Sequence, residues 1–411
     1  MRQETLIYVF TSDFPCYEQS EPYLWDELPF LAEKFNRVYF LPDKGVSPIR
    51  NIPSNCSVIP APVAFNKKRS IGVYFKVAYW VLSDFTQLVK KKMLGKLLRY
   101  NFSLLLQNYS KALYYHEIIL QQKAAKVYLY SYWSSDTASV AAFIKSMNPS
   151  IFAFSRAHGF DVFEEQTLHH FIFFRKLQLK YLSAIYSVSK RGQLHLQQKN
   201  PRYKEKIKCS YLGTEDKGVA PFSGAGFSIA TCSLIRSIKR LDLLAAALQY
   251  VSFPLTWHMI GDGPDLEQIK LAVKKLPPTV QTIFHGYLNK EQLDFFYKET
   301  PVNLLVSMSS SEGLPVSFME AMSYGIPILS TDVGGCNEIV TEETGMLMDK
   351  NITPVQIARK IELFKNSSMN NILFRHGVRC FWEENFKAQV NYTSFFSIII
   401  KHAQAANSSE D

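Results

Sequence analysis

The 411-residue chain has no Cys-x-x-Cys pair, no His or Cys at zinc-finger spacing and no acidic Asp-x-Asp pair at a strand end. Its six cysteines, Cys16, Cys56, Cys209, Cys232, Cys336 and Cys380, are scattered. That excludes a zinc ribbon and a thioredoxin-type redox motif. A chain of this length needs no disulfide framework, so the cysteines read as reduced, mostly buried thiols of a cytosolic protein. Long apolar runs are missing too. The longest charge-free stretch, Leu243 to Gly261, is interrupted by Gln249, Ser252, Pro254 and His258. It reads as helix, turn and strand, not as a membrane span. The first apolar run, Leu6 to Phe10, stops at Thr11-Ser12-Asp13. It has the length of a strand and is too short for an export signal, so a cytoplasmic location is expected.

What is present is a globular composition, with 47% hydrophobic and 20% charged residues, rich in Phe (30) and Tyr (22). The length suggests two domains of roughly 200 residues each. Charge is uneven: residues 1–200 hold 25 Lys and Arg against 14 Asp and Glu, leaving 21 against 22 for the remainder. A basic half beside a neutral half suggests that one domain faces an anionic partner.

Both halves alternate strands and helices. In the first, Leu6–Phe10, Val38–Leu41, Lys126–Tyr130 and Ile151–Ser155 read as strands, with helical spacing over Tyr23–Phe35 and Ala138–Met147. The second half opens after a Gly/Pro/Ser-rich linker, Gly218 to Gly226, and repeats the pattern. Its strands are Phe227–Cys232, Leu255–Ile260, Val280–Phe284, Val302–Val306 and Pro327–Ser330; its helices include Leu241–Tyr250 and Leu266–Lys275. This order predicts an α/β chain of two parallel, doubly wound, Rossmann-like domains facing a cleft, where open α/β sheets bind ligands. The expected boundaries are 1–217, 218–385 and 386–411. The last holds much of a helical stretch, Trp382–His402, that returns to the first domain, and then a frayed tail.

One segment breaks the pattern. From Asn66 to Tyr100 the clusters Lys67-Lys68-Arg69 and Lys90-Lys91-Lys92 flank Val73-Tyr74-Phe75 and Tyr79-Trp80-Val81-Leu82. Cations beside aromatic helices suit the headgroup layer of an anionic membrane. A surface helix pair with core aromatics reads the same way, and the charge asymmetry tips the balance towards the membrane. Nucleic acid is not expected, because no reader motif accompanies the charge.

The chemistry concentrates between Ser307 and Val340. A strand ends in a Ser-rich loop, Glu312-Gly313-Leu314-Pro315 follows, and a helix runs to Tyr324 with Gly325 placed to end it. A helix N-terminus offers free N–H groups and partial positive charge to a diphosphate. Glu312 and Glu320 would repel phosphate, so sugar and ribose hydroxyls are their natural partners. Two Glu at this spacing are common on surface helices. The context makes them specific: Gly325-Ile326-Pro327, then Ser330-Thr331-Asp332, then Val333-Gly334-Gly335 and Glu338-Ile339-Val340.

This string resembles the signature of the retaining, GT-B-fold glycosyltransferases of the large family four group. Other pieces agree in order: Val188-Ser189, Tyr211-Leu212-Gly213-Thr214-Glu215-Asp216, Ile260-Gly261-Asp262-Gly263-Pro264 and Phe284-His285-Gly286. Arg156-Ala157-His158-Gly159-Phe160-Asp161, preceded by Tyr130-Ser131-Tyr132-Trp133, resembles the bacterial capsule, lipopolysaccharide and exopolysaccharide subgroup. The resemblance covers nearly the whole chain except residues 60–115 and the tail. It implies hexosyl transfer, with retention, from a nucleotide-diphosphate sugar to a glycan or lipid-linked oligosaccharide, at the inner face of the cytoplasmic membrane. No cofactor or metal is implied.

The resemblance also implies roles. Glu312 would touch the donor sugar and Glu320 the ribose, with phosphate on the amides around Gly313, Leu314 and Val316 and Pro315 among the donor-binding residues. Lys239 matches the lysine that stabilises the departing diphosphate, and His158 the histidine that reaches the sugar from the opposite domain. Gly261, Asp161 and Arg240 complete the expected donor-binding set. Cations and amides aimed at the leaving phosphate suit an oxocarbenium-like transition state. Two features depart from the pattern. Leu234 stands where the family carries an Arg, with Arg236 or Arg240 as substitutes, and the first loop, Phe14-Pro15-Cys16-Tyr17-Glu18, has no glycine. A sugar-nucleotide epimerase or phosphorylase on the same fold, or a non-catalytic scaffold, are the alternatives.

Overall fold

The computed structural model describes residues 4–17, 21–61, 71–84, 95–122, 126–167, 171–222 and 226–407. The chain divides into two compact units, Met1–Ser210 with Tyr392–Asp411, and Tyr211–Asn391.

The sheet of the first unit holds β1 (Thr5–Thr11), β2 (Arg37–Pro42), β3 (Cys56–Val58), β4 (Lys126–Ser131), β5 (Phe152–Ala157), β6 (Ala184–Ser187) and β7 (Ile207–Cys209). Their order is β3-β2-β1-β4-β5-β6-β7, and every neighbouring pair is parallel. Parallel sheets are covered on both faces, which is why β1 reads as an unbroken Leu-Ile-Tyr-Val-Phe run and is buried from Leu6 to Thr11. The Ala388–Asn407 helix packs into this unit from Tyr392 onward. Phe30 lies 5.5 Å from Tyr392, and Tyr130, Phe154 and Tyr186 all meet the Phe395 ring.

The second unit repeats the design with β8 (Ser228–Cys232), β9 (Leu255–Ile260), β10 (Val280–Gly286), β11 (Leu304–Ser307), β12 (Ile328–Thr331) and β13 (Gly345–Met348). The order is β10-β9-β8-β11-β12-β13, again all parallel. In each unit the strand order reverses beside the first strand, between β1 and β4 and between β8 and β11. That is the switch point of a dinucleotide-binding type of sheet.

Two expectations need correction. The single helical stretch over Trp382–His402 is two helices, Ile372–Asn385 and Ala388–Asn407. Phe386 and Lys387 interrupt them because Thr214 takes their backbone. Its N–H donates to the Phe386 carbonyl, its own carbonyl accepts from Ala388, and the Trp382 indole donates to its hydroxyl, each at 2.9 Å. Apolar periodicity runs through the break and hides it. The same contacts, with Asp216 paired to Arg379 at 2.5 Å, attach Tyr211–Asp216 to the second unit, so the chain divides before the Gly/Pro/Ser-rich stretch.

His258 and His285 stand side by side on β9 and β10, Nδ1 to Nε2 at 3.1 Å, with the Phe296 ring packed on both. One nitrogen must donate and the other accept, so at least the accepting ring is neutral. Burial, and then the neighbouring imidazole, lower the His258 pKa from 6.5 to about 4; burial lowers His285 as well. The unfolded chain therefore binds protons that the folded chain refuses. Stability is fully present above the unfolded pKa near 6.5 and is lost as pH falls towards 4. Thermal unfolding should show Tm dropping through that window, with a flatter profile in His258→Gln.

Candidate active site

In the second unit the loops that leave β8 and β11, residues 233–240 and 308–315, emerge side by side at the switch point. The Ser310 N–H donates to the Ile238 carbonyl at 2.8 Å and locks them together. From opposite loops, Lys239 Nζ and Glu312 Oε1 meet at 2.5 Å, with side chains 20% and 13% exposed. A charge-assisted bond in so sheltered a place holds both groups at one spot. A small cavity of about 20 Å³ adjoins them, bounded by Thr231, Ser233, Lys239, Ser307, Glu312 and Ser317.

Glycines let backbone strands approach these loops closely. Gly261 has φ +131, and a Cβ there would lie 1.9 Å from the Ser233 carbonyl oxygen. Gly334 has φ +54, and a Cβ would lie 1.8 Å from the Glu312 carbonyl oxygen, while the Gly335 N–H donates to Gly313 at 2.7 Å. Only glycine tolerates both the left-handed conformation and the contact. Gly334-Gly335 is thus the floor on which Glu312-Gly313 rests.

Arg240 also shapes the loops. Its guanidinium donates to the carbonyls of Met308 (2.5 Å), Lys350 (2.7 Å) and Ser309 (3.3 Å). Arg236 is exposed and makes no side-chain bond among the described residues, and Leu234 is 55% exposed. Of the two arginines considered as replacements for the family residue, Arg236 is therefore the one whose cation is not engaged by backbone.

The helix after the loop runs Val316–Ser323, with Pro315 as its N-cap. No side chain caps it; the Phe318 N–H donates to the Pro315 carbonyl at 3.2 Å, and the N–H groups of Val316 and Ser317 are among those a helix start leaves without intrahelical partners. Leu314, Pro315 and Val316 are buried and fix its entry. The helix ends as its sequence requires, with Gly325 donating to Met322 at 2.8 Å. Glu320 is half-buried on it, and its charge is felt by Cys232, Tyr297 and Tyr324. Burial pushes the Cys232 and Cys336 thiols up to about 12, so neither supplies a thiolate nucleophile at neutral pH.

The first unit carries a second cluster, at the C-terminal end of β5. Asp161 is buried; its carboxylate accepts from the N–H of His158 at 2.6 Å and of Ser134 at 2.8 Å. Burial works to raise its pKa, but His158 and these two N–H donors outweigh burial and hold it below the usual range. The His158 ring is 12% exposed, lies 3.8 Å from Asp161 through Nδ1, and packs against Tyr132 (4.8 Å) and Trp133 (4.4 Å). Neither ring nitrogen has a hydrogen-bond partner among the described residues. A sheltered imidazole whose Nδ1 faces the Asp161 carboxylate and whose Nε2 is uncommitted among the described residues is equipped to meet a hydroxyl-rich ligand. Asp161 thus shapes the turn that presents His158.

Sequence reasoning missed Glu21 in this unit. Its carboxylate accepts from the N–H groups of Ser12 (2.6 Å), Asp13 (3.2 Å) and Phe14 (2.9 Å) and from the Trp133 indole (2.7 Å). It orders the glycine-free first loop. No local signal announces it, because its indole partner is 112 residues away.

Two consecutive all-parallel Rossmann-like units, the second with an ion pair and a helix N-terminus at its switch point, define the GT-B class of fold. Residues 228–373 match the family of glycosyl transferases group 1, and this stretch is a domain of that family. Among curated proteins the chain is similar to the O-antigen biosynthesis glycosyltransferase WbnH of Escherichia coli, 36% identical over 27% of this chain and 30% of that one. It is equally similar, at 36%, to a lipopolysaccharide 1,6-galactosyltransferase of Salmonella typhimurium, over 23% of this chain and 26% of that one. The matches therefore span about a third or less of those relatives. Among solved structures, Anabaena HepE in complex with UDP has a TM-score of 0.65 at 14% identity, over 97% of this chain and 99% of that one.

Proposed function

We propose that the chain is a retaining hexosyltransferase of bacterial surface-polysaccharide biosynthesis, moving a hexose from a nucleotide-diphosphate sugar to a lipid-linked glycan. The observation that carries this reading is the Lys239–Glu312 pair, 2.5 Å apart at the β8/β11 switch point inside the glycosyl transferases group 1 domain. Diphosphate lies on the amides of Gly313, Leu314 and Val316, with Pro315 setting the helix start and Lys239 against the leaving oxygen. Glu312 holds sugar hydroxyls and Glu320 the ribose. Gly261 and Arg240 hold the loops in shape around the donor, and His158, presented by Asp161, binds the sugar. The bond from the anomeric carbon to the phosphate oxygen breaks with its electron pair going to the diphosphate. The acceptor hydroxyl bonds the same face and passes its proton to the departing phosphate. Lys239 and the helix amides favour this step because negative charge grows on the oxygen they face.

The assay is release of nucleoside diphosphate from UDP-, GDP- and ADP-hexoses with glycolipid extracts as acceptor. The HepE complex makes UDP the first base to try. Release with one donor, and an anomeric proton in the product matching that of the donor, supports the reading. No release from any donor moves the scaffold reading ahead, with exposed Leu234 as its mark.

The acceptor's lipid places the enzyme at an anionic membrane. The Ile71–Ser83 helix supports this: Val73, Val77, Trp80 and Val81 are buried, while Ile71, Tyr74, Phe75, Tyr79 and Leu82 form an exposed apolar stripe. Its flanking clusters, Lys67-Lys68-Arg69 and Lys90-Lys91-Lys92, lie outside the described residues. No described helix is long and apolar enough to cross a membrane. The double substitution Phe75→Ser, Tyr79→Ser should cut sedimentation with anionic vesicles by at least about tenfold, since each ring immersed contributes on the order of 1–2 kcal/mol. Unchanged sedimentation would contradict the membrane assignment.

A further inference from the structure

We propose that Glu21 is a positioning residue for His158, acting through the Trp133 indole. The proposal rests on the reading of His158 as a donor-sugar contact. Glu21 is only 4% exposed and has φ +48, a conformation costly for a residue with a side chain. Its carboxylate gathers N–H donors from two loops that leave β1 and β4, the strands that flank the switch point of the first sheet. Three donors, on Ser12, Asp13 and Phe14, would suffice to fix the first loop. The fourth, Trp133 Nε1 at 2.7 Å, joins that loop to a ring 4.4 Å from the His158 imidazole and 5.0 Å from Phe160.

That connection matters because no hydrogen bond among the described residues orients the His158 ring. Its orientation is set by packing between Tyr132 and Trp133 and by Asp161 at 3.8 Å. Fixing the indole therefore fixes one wall of the imidazole's slot. An anion is well suited to hold it, because a carboxylate accepts on both oxygens, whereas an amide at the same place turns an NH2 towards N–H donors.

The test pairs Glu21→Gln, which leaves the indole in place, with Trp133→Phe, which keeps an aromatic ring but loses the donor and part of the indole's bulk against the imidazole. Both should lower kcat, Glu21→Gln by about tenfold or more, because small misplacements of a positioned group carry large rate costs. The nucleotide-sugar Kd should stay within about twofold of wild type, since the phosphate and ribose contacts proposed above lie in the second unit. Both variants should also move the His158 imidazole resonances in isotope-labelled protein, assigned by their loss in His158→Gln. Unmoved resonances or an unchanged kcat in Glu21→Gln would overturn the proposal, whatever Trp133→Phe does. Should Glu21→Gln not fold, Glu21→Asp, which keeps the anion but shortens its reach to the indole, takes its place. A wild-type protein that releases no nucleotide defeats the functional reading instead, and the imidazole resonances still report whether Glu21 positions the ring.

Discussion

Lys239→Met is expected to reduce kcat for sugar transfer by about a hundred- to a thousandfold, the usual cost of removing one group that faces the charge developing in a transition state. The lysine lies on the β8 loop, held by the Ser310-to-Ile238 hydrogen bond and by Glu312 at 2.5 Å. Methionine keeps the stem and removes the cation. Glu312, only 13% exposed, then loses its counter-charge beside a bound diphosphate. Donor KM should change far less than kcat, because the diphosphate gains charge only as the bond breaks. Arginine is not expected to rescue, since its planar fork does not replace a compact ammonium at this short contact. Steady-state kinetics with an unfolding curve separate this from misfolding: a folded variant with near wild-type kcat would remove Lys239 from the chemistry.

The second large effect is expected of Gly334→Ala. The new Cβ would sit 1.8 Å from the Glu312 carbonyl oxygen, on a backbone whose φ of +54 already penalises a side chain. The conformation alone costs about 1–2 kcal/mol. To relieve the clash the Glu312-Gly313 segment must move by about an ångström, enough to disturb a reacting geometry. Donor binding should weaken by at least about tenfold, with Tm lower by several degrees. Gly218→Ala is the control. It too has positive φ, +93, but a Cβ there meets nothing within 4 Å. It should lose some stability and keep donor binding. If both variants bind donor like wild type, Gly334 is a turn and nothing more.

The fold was legible because parallel strands buried on both faces are written as apolar runs. Leu255–Ile260 has the same bounds in sequence and structure, and β1 differs by a residue at either end. Four short strands escaped: β3, β6, β7 and β13 are three or four residues long, and only β11 and β12, also of four, were found among strands so brief. The break at Phe386-Lys387 escaped because it is imposed by Thr214, far away in sequence. The same holds at the candidate site. Lys239 and Glu312 were each picked out by resemblance, but their pairing across 73 residues is visible only when the two loops are seen together. Arg240 and Gly261 were expected beside the donor, and their described contacts are with carbonyls of the neighbouring loops. A string of letters does not tell a guanidinium aimed at phosphate from one aimed at backbone. Glu21 looked like any loop carboxylate, and only burial against converging N–H groups distinguishes it.

The most direct test of the central claim is calorimetric titration of UDP-, GDP- and ADP-hexoses into the wild type and into Glu320→Ala. Binding of one donor at about micromolar level, and its loss by at least about tenfold in the variant, is the expected result, since removing a hydrogen bond to a charged carboxylate costs on the order of 1.5–3 kcal/mol. Equal binding by both proteins would contradict the placement of the nucleotide on the Val316–Ser323 helix, and no binding by either would contradict the transferase itself.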